Sequence, residues 1–204
     1  APLFALVISE DTDRYYPLFE EIFLGEHEVG GVCSPLIKAA LMVEDERYYN
    51  LVEKLLLAAQ LQEGLRQTIF ESLDETTHAS FKHFIRVILD HKFTRFSSVV
   101  RAVDTWFGFG WEAPQQSVVR RTLELASAYL SDPAEAKKAI KSKDHLEQYV
   151  ALWAIGTYSV QEALTLAIEV LNGKSVSLDT GVVLLYFIKQ TQKTLPQITS
   201  FAEK

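Results

Sequence analysis

Residues 152–164 read LWAIGTYSVQEAL. An apolar segment reaches Gly156, a short turn follows, and an amphipathic segment begins near Val160. A degraded copy of the first segment returns at residues 184–191, LLYFIKQT. Paired apolar segments that recur predict stacked helix hairpins, because one hairpin cannot bury its apolar face alone. We expect the first helix to end at Gly156, since glycine is the commonest residue just past a helix end.

The rest of the chain also has the apolar spacing of helices. Phe81, Phe84, Ile85 and Ile88 recur at steps of three and four residues, which places them on one helix face. No alternation with the period of a strand continues for a useful length. The spacing therefore predicts an all-α fold. The expected helices, with bounds good to about two to four residues, are 14–24, 34–44, 46–60, 63–74, 78–91, 96–107, 115–131, 133–141, 144–156, 160–171, 177–191 and 195–203.

Polar residues mark several of the helix starts. Asp132-Pro133 places a good N-cap before a proline at the first helical position, where the missing N–H is not needed. Asp144 is the predicted cap of the helix that contains Trp153.

The repeat also predicts a shared core. A shift of 33 residues superimposes the first apolar segment on its copy, and a shift of 27 superimposes Glu135-Ala136 on Glu162-Ala163. The repeat is therefore degenerate in length. Matched positions of neighbouring repeats should face the same core. At the longer shift these positions are Leu152, Trp153, Ile155, Leu185, Tyr186 and Ile188.

Residues 144–191 resemble HEAT repeats. An apolar first helix ends in an Ile-Gly pair, a turn follows, and Glu-Ala-Leu occurs in the second helix. The chain has TYSV at residues 157–160 where the family often has an Asp-Pro turn, and Asp132-Pro133 matches that turn better. The resemblance implies a right-handed α-solenoid of antiparallel helix hairpins, of the HEAT/armadillo kind.

A second resemblance covers residues 45–191. The segments 55–67, LLLAAQLQEGLRQ, and 95–103, RFSSVVRAV, look like the helical region of very large uncharacterised bacterial proteins. Those proteins are related to the so-called molybdate metabolism regulator. No established catalytic residues accompany that family, so the resemblance implies none in this chain.

Charge is distributed unevenly along the chain. The net charge is −7, and residues 1–60 carry 4 Lys+Arg against 11 Asp+Glu, whereas residues 61–204 carry 16 of each. An acidic chain is a poor candidate for duplex DNA binding, which depends on neutralising phosphates. The single cysteine, Cys33, cannot form an internal disulfide, and no apolar run reaches the roughly 18 residues of a membrane span. We therefore expect a cytoplasmic protein without a membrane partner.

The length of 204 residues predicts one domain, a HEAT-like repeat array over residues 1–204. Residues 1–12 are expected to be a loosely ordered lead-in. The chain starts with Ala1-Pro2 and stops in helix-like sequence at residues 199–204. We expect it to be a fragment of a longer protein.

No catalytic residue, cofactor or metal site is expected from the sequence. A zinc helix motif needs two histidines four residues apart with a glutamate beside the first, but His78 and His83 are five apart and lack that glutamate. His83 and His91 share a helix face, and polar or capping roles are favoured for both. Neither a glycine-rich phosphate loop nor a nucleophile elbow occurs in the chain.

Residues 82–101 form the only strongly basic stretch, with five Lys+Arg against Asp90 alone. Arginine suits bidentate contacts with carboxylates and phosphates. The predicted binding residues are Arg86, Arg95, Arg101 and Lys82, and His83 and His91 could extend the same ridge. The alternatives are an ordinary solvated helix face, or a surface on which the acidic first third of another copy docks.

Residues 106–111, WFGFGW, contain four aromatics. Trp106 and Trp111 are predicted to anchor a partner, because Trp often dominates binding hot spots. The alternative is a turn between repeats whose aromatic rings fill the core.

Together these patterns predict a non-enzymatic scaffold or protein-binding segment of a larger cytosolic bacterial protein. The expected partner is a protein, other domains of the same chain included. A HEAT-like nucleic-acid-binding module is the alternative, with a basic surface around residues 82–101 supplemented by lysines at 137, 138, 141 and 143. A structural spacer and an enzyme are the remaining classes, and no motif indicates the enzyme.

Overall fold

The structure, a computed structural model, describes residues 2–25, 33–58, 61, 63–73, 78–107, 115–172 and 178–194. Over these residues the chain forms twelve α-helices and a short 3-10 turn, and it contains no strand. The all-α prediction is confirmed for this part of the chain. The helices are α1 Pro2–Glu10, α2 Thr12–Leu24, α3 Cys33–Met42, α4 Glu46–Leu57, α5 Glu63–Ser72, α6 His78–Asp90, α7 Ser97–Phe107, α8 Gln116–Ser131, α9 Pro133–Ala139, α10 His145–Tyr158, α11 Val160–Leu171 and α12 Leu178–Thr194, with the 3-10 turn at Phe93–Arg95.

Side-chain caps start α9 and α10 where the sequence predicted them. The Asp132 carboxylate accepts hydrogen bonds from the backbone N–H groups of Ala134 and Glu135, with Pro133 at the first position of α9. Asp144 accepts from the N–H groups of the second and third residues of α10. Such caps satisfy backbone donors that a helix leaves free at its start.

The junction between α10 and α11 differs from the sequence-based expectation. Helix α10 does not end at Gly156 but continues to Tyr158. Ser159 is at once the C-cap of α10 and the N-cap of α11, and its hydroxyl accepts from the Glu162 N–H. A single extended serine therefore makes the turn. Gly156 lies inside the helix, at a point where α11 and α12 approach it closely.

The start of the chain also differs from the expectation. Residues 1–12, expected as a loosely ordered lead-in, contain the helix Pro2–Glu10, which buries Ala5 and Ile8. Periodicity could not reveal this helix, because apolar residues cover its exposed side as well as its buried side. The helix predicted at 195–203 lies outside the described residues.

The chain divides into two compact units, Ala1–Val119 and Arg120–Lys204. In the first unit, α1 contacts α3, α3 contacts α5 and α5 contacts α7, while α2 contacts α4 and α4 contacts α6. We call the first row the odd layer and the second row the even layer. Each helix thus packs on the helix two places along the chain. The expectation of a single repeat domain stays a prediction.

Aromatic residues fill much of the core of the first unit. Tyr48 is fully buried, its ring meets Phe19 edge-on at 5.2 Å, and its hydroxyl donates to the Thr12 carbonyl at 2.7 Å. Phe70 and Phe84 are also fully buried. The Tyr48 hydroxyl ties α4 to the start of α2, so this core fixes neighbours within the even layer.

In the second unit, α10 is the central helix and contacts α9, α11 and α12. Because partners surround it, successive residues are buried, Val150, Ala151 and Leu152 among them. Its polar Gln148 is buried as well, and the side-chain amide donates to the Ile140 carbonyl at 3.0 Å. That bond meets part of the hydrogen-bonding need of a buried amide.

The predicted register of the repeat is wrong by one residue. Leu152 and Ile155 are buried as expected, but Leu185 is 60% exposed, whereas Leu184 and Phe187 are buried. A shift of 32 residues, from 152 to 184 and from 155 to 187, matches the burial that the shift of 33 does not. Every residue of the run LLYFI is apolar, so the sequence does not show which of them face the core. Matching by residue type therefore gave the wrong alignment of the two segments. The remaining predicted core residues are half-buried, namely Trp153, Tyr186 and Ile188.

Candidate functional site: the basic surface of the first unit

Helix α6 presents two of the predicted binding residues to solvent. Lys82 and Arg86 lie one turn apart and both are exposed. Phe84 and Ile88, on the other side of the helix, are fully buried. The apolar face predicted from the sequence is therefore the face that α6 buries, and this burial turns Lys82 and Arg86 towards solvent.

The connection from α6 to α7 places the next two cations. Lys92 takes the left-handed backbone conformation, with φ 56° and ψ 34°, which costs a non-glycine residue about 1–2 kcal/mol. The buried ring of Phe93 then anchors the 3-10 turn, and His91 stacks on that ring with centroids 5.7 Å apart. Arg95 ends the turn, exposed.

Phe96 gathers two guanidinium groups. The Arg95 guanidinium carbon lies 5.3 Å from the ring centroid, and that of Arg66 on α5 lies 4.4 Å from it. Aromatic faces attract such cations. Arg66 also pairs with Glu63 of the same helix, and only 14% of its side chain is exposed.

Arg101 on α7 reaches the same helix. Its Nη1 donates to Oε1 of Gln67 at 3.3 Å, and Gln67 directly follows Arg66 in α5. Arg95 and Arg101 are thus connected through α5. The sequence offered no signal for the contribution of Arg66, because only the packing of α5 on α7 brings it to this surface.

The predicted residues do not form one continuous cluster of contacts. Among the described residues, no hydrogen bond or ring contact joins Lys82 or Arg86 to Arg95 or Arg101. Lys82 and Arg86 are on α6, which belongs to the even layer, whereas Arg101 is on α7, which belongs to the odd layer. The surface therefore spans two layers, with Arg95 in the connection between them.

His83 does not belong to this surface, contrary to the sequence-based expectation. It is buried, and its Nε2 lies 2.7 Å from Oε2 of Glu53 on α4. The rings of Tyr49 and Phe84 flank the imidazole. Its role is to bridge α4 and α6, whereas His91 is exposed.

We use the name basic surface for Lys82, Arg86, Lys92, Arg95 and Arg101. None of these five exposed cations makes a salt bridge with a described carboxylate. Five basic residues elsewhere in the described chain hold carboxylates, namely Arg47, Arg66, Arg120, Arg121 and Lys137. The exposed Lys138, Lys141 and Lys143 of the second unit do not pair with a described carboxylate. The positive charge of the basic surface is thus left open to an external anion.

Glu63, the first residue of α5, is the carboxylate that pairs with Arg66. Burial would raise the pKa of its carboxyl, but the nearby Ser98 and the Arg66 guanidinium together outweigh burial and hold the pKa below its usual value. The carboxylate is therefore ionised at neutral pH. Its ion pair with Arg66 holds that guanidinium beside Phe96.

The aromatic run 106–111 is described only in part. Trp106 is 5% exposed, and its Nε1–H donates to the Phe70 carbonyl at 3.1 Å. Its ring meets Phe81 edge-on at 5.3 Å. This placement favours the core alternative for Trp106, while Trp111 lies outside the described residues and its role stays a prediction.

Metal binding and membrane insertion are two further roles that the described part of the chain can be compared with. There, no three His, Cys, Asp or Glu side chains come together in a way that could hold a metal ion. No helix there is long and apolar enough to cross a membrane.

The described helices define an all-α protein built by sequential helix packing, with an open basic surface in its first unit. The chain belongs to DUF5724, a family of unknown function whose model matches residues 1–204. No curated protein and no solved structure matches the chain.

Proposed function

We propose that this chain is a non-enzymatic scaffold that recruits an acidic protein partner through the basic surface. The carrying observation is the set of five exposed cations that have no described carboxylate partner, in a chain whose net charge is −7. Guanidinium groups pair with carboxylates bidentately, and partly desolvated pairs are stronger than exposed ones.

We also propose that the helices form a right-handed α-solenoid of the HEAT/armadillo kind. The contacts of each helix in the first unit with the helix two places on support it, since stacked hairpins pack only on their neighbours. In this proposal the chain is part of a larger cytoplasmic bacterial protein, similar to those related to the molybdate metabolism regulator. An array of this kind should show graded hydrogen-exchange protection along the chain, rather than one uniform value.

The Phe96 ring gives the proposed interface some preorganisation. A guanidinium that rests on an aromatic ring samples fewer orientations than a free one. Arg95 therefore loses less freedom when it pairs with a carboxylate. Arg101 is similarly oriented by Gln67.

A direct binding assay tests the recruitment proposal. The probe is a fluorescent peptide rich in Glu and Asp, and its anisotropy is measured against the full chain. The triple variant R86E/R95E/R101E should weaken binding at least about tenfold, which is about 1.4 kcal/mol. Added salt should weaken binding to the wild-type chain through screening.

The matched control reverses three exposed lysines of the second unit, K138E/K141E/K143E. It changes the net charge by the same amount and should leave peptide binding close to that of the wild type. Equal losses in the two triple variants would show that only net charge matters. Unchanged binding in R86E/R95E/R101E would contradict the proposal.

A nucleic-acid-binding module is the second candidate, because phosphates also suit an open arginine surface. The same assay with a duplex DNA oligonucleotide distinguishes the two. If DNA binds more tightly than the acidic peptide and R86E/R95E/R101E abolishes its binding, the nucleic-acid alternative replaces the scaffold proposal.

A further inference from the structure

Helix α6 is open to solvent along one narrow row of side chains. From residue 79 to residue 90 the exposed positions are Ala79, Lys82, Arg86 and Asp90, and the others are buried except the half-buried Leu89. With about 3.6 residues per turn, these four positions fall within an arc of roughly 80°. A partner that touches this part of α6 therefore meets this row.

The charges of the row have a fixed order. Lys82 and Arg86 lie one turn apart, and Asp90 lies one turn further along the helix. Because a helix rises about 1.5 Å per residue, each step is about 6 Å along the axis. No salt bridge joins Arg86 to Asp90, and none of the three pairs with any other described residue. The row thus offers two positive charges and then one negative charge.

Asp90 occupies a position that its own helix does not favour. It is the last residue of α6, where the helix dipole is negative and a carboxylate is disfavoured. The described part of the chain supplies no cation that pairs with it. A residue that breaks a local preference without compensation inside the fold is typical of a functional position.

We propose that the row Lys82, Arg86 and Asp90 receives a helix of the partner whose facing side carries two carboxylates one turn apart and a cation one turn beyond them. This inference rests on the proposed recruitment of an acidic partner, and it adds which kind of segment binds and in which register. The two carboxylates face Lys82 and Arg86, and the cation faces Asp90. Complementary charges fix register and disfavour wrong partners, so Asp90 is a specificity-determining residue.

A helix suits this row better than an extended segment. Extended peptides commonly bind by adding a strand to the edge of a sheet, and the described residues contain no strand. A helix satisfies its own backbone hydrogen bonds and needs none from α6. Its side chains four residues apart also repeat at the same step of about 6 Å as those of the row.

The test uses the full chain at low ionic strength, where contacts between exposed charges are strongest. The probes are stapled alanine-based helical peptides labelled with a fluorophore. The matched peptide carries Glu, Glu and Lys at successive four-residue steps, and the swapped peptide carries Glu, Lys and Glu at the same positions. The two peptides have the same composition and net charge, and in neither direction can the swapped one satisfy all three charges of the row. Anisotropy should show the matched peptide binding at least about threefold more tightly.

An unstapled matched peptide with proline between the charged positions tests the requirement for a helix. Proline inside a helix removes a backbone hydrogen bond and clashes with the preceding turn, so this peptide is not helical. It keeps the three charges in the same order. Its affinity should be at least about threefold below that of the stapled matched peptide.

A double-mutant cycle tests Asp90 directly. Wild type and D90K are each measured with the matched peptide and with a triple-glutamate peptide, in which Glu replaces the Lys. The ratio of the two dissociation constants, triple-glutamate over matched, should be at least about fivefold higher for the wild type than for D90K. Effects of overall charge largely cancel in such a cycle, so the remainder reports the pairing at this position.

The variant D90K should keep its fold, which circular dichroism checks. Asp90 is exposed, and a cation in the last turn of a helix is favoured by the helix dipole. The matched control is E169K, which makes the same change of charge at an exposed position of α11. Its ratio of dissociation constants should equal that of the wild type.

The outcomes separate this inference from the recruitment proposal. Equal affinity for the matched and swapped peptides, or the same ratio in D90K and the wild type, overturns the order of charges. Undiminished binding of the proline peptide overturns the helical partner. If the peptide rich in Glu and Asp still binds in those cases, recruitment of an acidic partner stands and only the present inference fails. If neither that peptide nor the matched peptide binds, both proposals fail.

Discussion

The guanidinium carbon of Arg66 lies 4.4 Å from the centroid of the Phe96 ring, and the same guanidinium pairs with Glu63. Phe96 follows the 3-10 turn and directly precedes α7. A single small network therefore connects α5, the 3-10 turn and α7. It also positions the ring on which Arg95 rests, so stability and the proposed binding surface share these residues.

We expect measurable coupling between Arg66 and Phe96. In a double-mutant cycle of R66M and F96L, the coupling in the free energy of unfolding should be about 1 kcal/mol, because the guanidinium is partly desolvated. Urea unfolding of the four proteins measures it. The cycle of R95M with F96L is the control, and its coupling should be smaller because Arg95 is exposed. Equal coupling in the two cycles would contradict this account.

Two neighbouring leucines test the register of the repeat. Leu184 is fully buried and Leu185 is 60% exposed. Leu184→Ala should therefore lower the free energy of unfolding by about 2–5 kcal/mol, whereas Leu185→Ala should change it by about 0.5 kcal/mol or less. Denaturant titration of both variants compares them directly. A larger loss for Leu185→Ala would restore the register with a shift of 33.

The glycine inside α10 offers a stabilising substitution. A Cβ at Gly156 would lie 3.8 Å from Phe187 and 3.9 Å from Ala163, ordinary contact distances. Gly156→Ala should raise the free energy of unfolding by about 0.5–1 kcal/mol, because alanine loses less backbone entropy in a helix. Gly181→Ala in α12 is the control, since a Cβ there meets nothing within 4 Å. Destabilisation by Gly156→Ala alone would mean that the helices cannot accept the methyl group.

Asp144 should make stability depend on pH in the acid range. Burial would raise the pKa of its carboxyl, but backbone N–H bonds at the start of α10 and the Arg121 guanidinium, 2.6 Å away, hold it below the usual 3.8. Because the folded pKa is the lower one, the carboxylate contributes stability above the usual value and loses it as pH falls through the folded pKa. Asp144→Asn keeps a good N-cap but removes the charge.

The variant D144N should therefore be less stable than the wild type at neutral pH and approach it at strongly acid pH. Urea unfolding over a pH series measures the difference. D132N is the control, because Asp132 caps α9 in the same way but makes no salt bridge with a described residue. If the free energies of unfolding of D144N and the wild type differed by the same amount at all pH values, the lowered pKa assigned to Asp144 would be wrong.

Much of the fold was predictable from local patterns. The amphipathic spacing of α6 and the caps Asp132 and Asp144 depend on interactions within one or two turns of a helix. Such interactions join residues that are close together in the sequence, so the positions of these caps and of this helix face could be predicted. The same reasoning failed for α1, because a helix that is apolar on both sides shows no periodicity.

The candidate site was predictable only as a list of charges. The sequence indicated that Lys82, Arg86, Arg95 and Arg101 belong to a basic stretch. It could not show that His83 turns inward to Glu53, or that Arg66 joins Arg95 on Phe96. Those pairs lie on different helices, and no local rule specifies which distant helix a side chain meets.

The sequence by itself determined that the chain is helical, where most helices begin and end, and that its basic residues concentrate in one stretch. The tertiary structure alone decided that Leu184 rather than Leu185 is buried, that α10 continues past Gly156, and that His83 turns inward to Glu53. The physical reason is the range of the interactions. Capping and amphipathicity act over a few residues, whereas burial depends on which helices fill the space around each side chain.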